Sequence, residues 1–311
     1  MGDRGLPFSW RHMNGYGSHT YLWINAAGEQ FWVKYHFHTQ QGERNITNAD
    51  AEQITGADTD YYLRDLYEAI DRGEHPKWNV SVQVIPYEDA KTYRFNIFDL
   101  TKTVSHNDYP LIPVGEFELN RNPVNYFAEI EQAAFEPSNL VLGIDVSPDK
   151  MLLARVFSYA NAHRYRIGVN YNELPVNRPI VPVHSYSKDG HLRHAFPNPP
   201  QAVYAPNSLG GPAADASRTT EANWAADGEL TRAAATLHAE DDDFGQPGTL
   251  IRDVFTQEQK DRLVETLTGQ YLSLKRPEVR ERFLWYWRQI DQATAAKVEA
   301  AVLTGAGQLA V

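Results

Sequence analysis

The stretch Trp78-Asn79-Val80-Ser81-Val82-Gln83-Val84 alternates apolar and polar residues without a slip. A period of two is the pattern of a β-strand with one buried face, so it commits this part of the chain to a sheet. The residues before it carry a hairpin signal: 20–25 and 31–37 flank Ala26-Ala27-Gly28-Glu29, a short turn holding a glycine. In the second arm Phe31, Val33, Tyr35 and Phe37 read as the buried face, with His36 and His38 on a solvated one. Two histidines without a third ligand nearby in the chain suit a wet strand face better than a metal site. A shorter strand is expected over 114–119, which makes four strands before residue 121. That is half of a barrel, and an unclosed barrel leaves two edges of unpaired N–H and C=O groups.

Helical patterns take over elsewhere. Residues 58–72 set Leu63, Leu66, Tyr67 and Ile70 on one face, and Gly73 stops the helix. Residues 125–135 read as a short helix. Beyond Arg166 the chain turns extended and proline-rich as far as Pro200, and Gly, Pro, Ala and Ser then dominate a linker-like stretch. Thr256-Gln257-Glu258-Gln259 is a capping box that opens a helix with Leu263, Val264 and Leu267 inward, ending near Gly269. Pro277 starts another, with Phe283, Leu284 and Trp287 as its apolar stripe, and 291–303 forms a last one. The predicted class is α+β: a core over 1–205, a linker over 206–227 and a helical domain over 228–311.

Charge and composition exclude several partners. A net charge of −11 argues against nucleic acid, which calls for a basic face. With no cysteine, disulfides, iron–sulfur clusters and thiolate-ligated haem are ruled out. No apolar run approaches the ~20 residues of a membrane span, so a cytoplasmic protein without leader or membrane segment is expected.

Ser147-Pro148-Asp149-Lys150 reads as a helix start, with Ser147 as cap, Pro148 in the first turn and Asp149 at the positive end of the dipole. Arg155 and Tyr159 follow on one face, four residues apart. A free phenol titrates near 10. A guanidinium and a ferric ion both favour its anion, and tyrosinate is one of the few axial ligands used for haem iron. The spacing alone is better met by a cation stacked on a surface ring.

The wider context changes the reading. Arg155-Val156-Phe157-Ser158-Tyr159-Ala160-Asn161-Ala162-His163-Arg164-Tyr165-Arg166 resembles the proximal ligand signature of the haem catalases. Similar agreement runs through Arg11-His12-Met13-Asn14-Gly15-Tyr16-Gly17-Ser18-His19-Thr20 and through Asp108-Tyr109-Pro110-Leu111-Ile112-Pro113-Val114-Gly115. It extends almost without a gap to about residue 208. The resemblance implies the second half of an antiparallel β-barrel, a segment wrapping between subunits and a C-terminal helical domain. It implies a haem (iron protoporphyrin) cofactor, hydrogen peroxide as substrate, dismutated to water and dioxygen, and a homotetramer.

Carried over residue by residue, it makes Tyr159 the iron ligand and Arg155 the donor to its phenolate. His19 and Asp149 extend the polar relay behind that arginine. Phe135 and Met151 pack on the macrocycle, while His163 and Arg166 lie near its edge, Arg166 toward a propionate. Asn161 stands where an aspartate is common. Some members hold NADPH, and Arg4, Asn14 and His106 fall at matching positions. His38 replaces the usual lysine and Val104 the usual tryptophan, which weighs against that nucleotide.

Residues 1–7 resemble the middle of the family's chain. The portion before it in the family carries the distal histidine and half of the barrel. The expectation is a truncated product or late start, with His12 and His106 the only nearby substitutes for the distal base. The alternatives are a haem-binding pseudoenzyme or weak peroxidase, or an inactive fragment.

Overall fold

A computed structural model describes residues 2–181, 189–191, 193, 204, 206–209 and 242–306. One antiparallel sheet organises the N-terminal half. Its strands are β1 (Gly15–Tyr16), β2 (Tyr21–Ile24) and β3 (Gln30–Thr39), joined later by β4 (Lys77–Pro86), β5 (Ile112–Glu118) and β6 (Ile144–Asp145). The order is β5-β4-β3-β2-β6, with β1 also paired to β3. The sheet is open, with β5 and β6 at its edges, and every residue of β5 is exposed. Between β3 and β4 lie α1 (Asn48–Ala57) and α2 (Tyr61–Asp71). The sequence reading missed α1, although Thr47 and Asp50 close a capping box at its start.

The β1–β2 edge is interrupted in a way the ladder makes countable. Counting forward from Tyr16↔His36 puts Ser18 opposite Lys34, whereas counting back from Tyr21↔Val33 puts Thr20 there. Two extra residues are therefore inserted at this point, a bulge that takes Ser18 to φ 34°. His19 leaves the sheet at the bulge and is buried.

Both faces of the hairpin are covered, where one was expected. Trp32 and His36, on the face read as solvated, are 2% and 6% exposed. The segment after β4 folds over that face, and Leu22, Ile24, Trp32 and Ile85 pack there with Ile97 and Val104. Gln83 clasps it by donating to the carbonyls of Tyr109 (2.7 Å) and Val104 (3.3 Å). On the opposite face Val33 and Val82 are fully buried, while Phe31, Tyr35 and Phe37 are half-covered.

After β6 comes α3 (Lys150–Arg166), preceded by a single wide turn at Phe127–Glu131 where the short helix was expected. Of the expected wrapping segment, residues to Val181 and then 189–191, 193 and 204 are described, and of the linker 206–209; their other residues lie outside the described ones.

The C-terminal unit begins with α4 (Gly245–Thr249), then α5 (Gln257–Ser273), α6 (Pro277–Ile290) and α7 (Gln292–Ala306). Thr256 and Gln259 form the expected capping box. The helix does not end at Gly269, since one interior glycine costs only about 1 kcal/mol and Tyr271 continues onto Phe283 of α6. Leu263, Leu267, Trp287, Ile290 and Val298 form a core of its own. Polar contacts join this unit to the sheet half: Lys102 to Asp243 at 2.5 Å, Arg262 to Asp3 at 2.6 Å, and Gln246 to both backbone groups of Thr103. No described helix is long and apolar enough to cross a membrane.

Candidate functional site

The first turn of α3 sets the site. Asp149, not Ser147, is the cap: its Oδ1 accepts from the amides of Met151 (2.8 Å) and Leu152 (3.2 Å). A carboxylate reaches those donors directly and complements the helix dipole, so Pro148 stands just outside the helix. Met151, Arg155, Tyr159 and His163 then recur every fourth residue, which lines them along one side of α3.

Four side chains beside this line join in series, two of them, Arg155 and Tyr159, belonging to it. Asp149 Oδ2 lies 2.6 Å from His19 Nδ1, and His19 Nε2 lies 2.7 Å from Arg155 Nη1. Arg155 Nη2 donates to Tyr159 Oη at 3.1 Å. A guanidinium only donates, so His19 Nε2 must accept and Nδ1 carries the proton given to Asp149. His19 and Asp149 are each 2% exposed, which keeps water from competing for these bonds. The relay thus aims a fixed cation at one phenol oxygen, with the carboxylate balancing its charge. The Arg155 guanidinium also sits 5.0 Å from the Tyr159 ring centre, so the stacked cation and the hydrogen-bond donor are one group.

The far end of α3 is tied to the segment before it. His163 Nε2 donates to the Phe135 carbonyl at 3.0 Å, and its ring meets Tyr171 at 5.5 Å. Arg166 donates to the carbonyls of Glu131 (2.6 Å) and Ala133 (2.7 Å). This guanidinium anchors the Phe135 loop, a role the sequence did not suggest. Tyr171 was also missed: it donates to Glu136 at 2.7 Å, and burial together with that carboxylate pushes its pKa up to about 12. Phe135 is 87% and Met151 55% exposed, so apolar surface flanks the half-buried Tyr159.

This donor set fits a haem approached from one side. An oxygen ligand has a cation bonded to it, and exposed apolar side chains offer a surface for a flat macrocycle. Among the described residues no three His, Asp or Glu side chains are arranged to hold a bare metal ion.

The other positions singled out from the sequence lie elsewhere. His36, expected in solvent, is buried and donates to Gln83 Oε1 at 3.0 Å, and burial lowers its pKa. His38 and His106 stand around it, at 6.1 and 5.5 Å between ring centres. Asn14 accepts from the Thr39 amide beside them, whereas Arg4 is exposed on a short turn. His12 donates to the Gly42 carbonyl at 2.9 Å.

Comparison with known proteins gives the same direction over 97% of the chain. Residues 1–211 match the family model described as Catalase, and 238–302 match that described as Catalase-related immune-responsive. The bromoperoxidase-catalase of Streptomyces venezuelae is 49% identical over 309 residues, 97% of this chain and 62% of that protein. A Helicobacter pylori catalase is 47% identical, covering 97% of this chain and 60% of its own. A solved bacterial catalase superposes with a TM-score of 0.86 at 45% identity, over 97% of this chain and 62% of that one. The chain therefore spans about three-fifths of the length of the relatives it matches.

Proposed function

The chain belongs to the catalase family, and on that footing we propose that it supplies the tyrosinate side of a haem site for hydrogen peroxide dismutation. The observation that carries this reading is the unbroken Asp149–His19–Arg155–Tyr159 series, which ends on a phenol oxygen beside exposed apolar surface. When bound, the haem iron supplies the redox chemistry that converts peroxide to water and dioxygen. Tyr159 ligates through Oη, and Arg155 stabilises the phenolate by a charge-assisted hydrogen bond. His19 and Asp149 hold the guanidinium in place and keep its second face occupied. Phe135 and Met151 offer the apolar contact. His163 keeps the Phe135 loop in position, and the likeness to catalases gives Arg166 a propionate as partner in addition to the Glu131 and Ala133 carbonyls it serves. The exposed Val124, Phe127 and Phe157 suit burial between copies in a homotetramer, which sedimentation tests.

Titrating the full chain with ferric protoporphyrin IX tests the proposal. Saturable binding with a shifted Soret band is expected, lost or spectrally altered in Tyr159→Phe. An unchanged spectrum in that variant overturns the ligand assignment. A second reading, haem binding without turnover, is favoured by the 87% exposure of Phe135, which leaves this face wet. Dioxygen evolution on adding peroxide decides between them.

A further inference from the structure

The bulge that ejects His19 from the sheet sits opposite a single residue, Lys34. Its ammonium donates to the carbonyl of Ser18 at 3.2 Å, at the point where the ladder loses its regular partner. Ser18 has φ 34°, a left-handed conformation unusual for a residue with a side chain. Such conformations persist only where surrounding contacts over-determine them. The next residue is His19, buried between Asp149 and Arg155. Thr20 closes the bulge by donating to the Ile97 carbonyl at 2.8 Å.

We propose that Lys34 is a positioning residue, whose ammonium pins the Ser18 peptide in its left-handed turn and so presents His19 to Arg155. Burial lowers the Lys34 pKa, while the carboxylates of Asp149 and Asp99 oppose that fall. Lys34 shares its face with the buried Trp32 and His36, and the Ser18 carbonyl gives its half-buried charge a partner. Its function in the haem site rests on the reading given above. The geometric claim concerns this chain's own residues and is tested without haem.

The experiment is histidine-selective NMR of the full chain without haem, following the His19 Nδ1 proton in its bond to Asp149. In the parent chain this proton is expected far downfield and slow to exchange. Lys34→Met removes the pin, and its exchange should quicken by about tenfold or more, the scale of one lost hydrogen bond from a charged donor. Lys34→Arg keeps a cationic donor and should keep the slow signal. Ser18→Gly on the Lys34→Met background relieves the left-handed strain and should restore much of the protection. Unchanged exchange in folded Lys34→Met overturns the proposal, as does loss of the signal in folded Lys34→Arg. If Lys34→Met does not fold, Lys34→Arg decides: the slow signal kept upholds the proposal, and the signal lost overturns it. Haem titration of the same proteins separates the two readings: a parent chain that fails to bind haem refutes the cofactor and leaves the NMR result standing.

Discussion

Asp149 divides its two oxygens between two tasks, and at the scale of single residues this is the most exposed point of the design. Oδ1 caps α3 and Oδ2 holds the imidazole of His19. Asp149→Ala removes a cap worth about 0.5–2 kcal/mol and strands a buried N–H at about 1–3 kcal/mol. A loss of roughly 2–4 kcal/mol by urea denaturation is expected from the two together. Asp149→Asn separates the tasks. Its carbonyl can still cap, but turning the amide N–H₂ toward His19 forces the other tautomer, which sets an N–H against Arg155. That variant should cost less stability than the alanine yet still alter the haem spectrum. Arg155 and Tyr159 are four apart in one helix, but that spacing alone reads as a stacked surface pair, and only the family likeness made it a site. His19 and Asp149 meet across 130 residues, so no local pattern links them and only the family likeness brought them together. Lys34 had no signal at all, since its partner is a carbonyl in a bulge.

Among the elements, α5 gives the cleanest tests. Thr256→Ala should cost about 1 kcal/mol, the usual loss for a capping hydroxyl. Gly269→Ala should stabilise by about 0.5–1 kcal/mol, since nothing lies within 4 Å of the added methyl. The contrast is Gly143, at φ +86° with the Ile24 carbonyl 3.1 Å from any added Cβ, where alanine should destabilise. Thermal midpoints of the three variants check all of these. Strands and C-terminal helices were readable because period, caps and proline are local. The cover over the His36 face of β3 was not, because it comes from the segment after β4, and alternation alone cannot say that a second side receives a lid. Helix α1 escaped for a related reason: none of its residues is buried, so it offers no apolar stripe.

For the molecule as a whole, acid should act in two stages. Burial holds His36 below the ordinary 6.5, so the folded state resists its charging. Stability should fall as pH drops from 6.5 toward that lowered value. The hydrogen bond from Arg11 holds Asp65 below 3.8, and the stability it lends above 3.8 is lost as pH falls through the lowered value. Urea midpoints measured against pH should show both steps, with Asp65→Asn flattening the lower one. The apolar cores of the sheet half and the helical unit are distinct, and the contacts named between the halves are ion pairs and hydrogen bonds. Raising salt to 1 M shortens the screening length to about 3 Å, and partly exposed pairs are worth only about 0–1 kcal/mol each. Calorimetry at increasing salt should therefore resolve one heat-absorption peak into two, the smaller moving to lower temperature. Cooperativity in this molecule is on loan from opposite charges within the chain: in brine the bundle should gain autonomy, while the sheet and its phenol keep their own melting point.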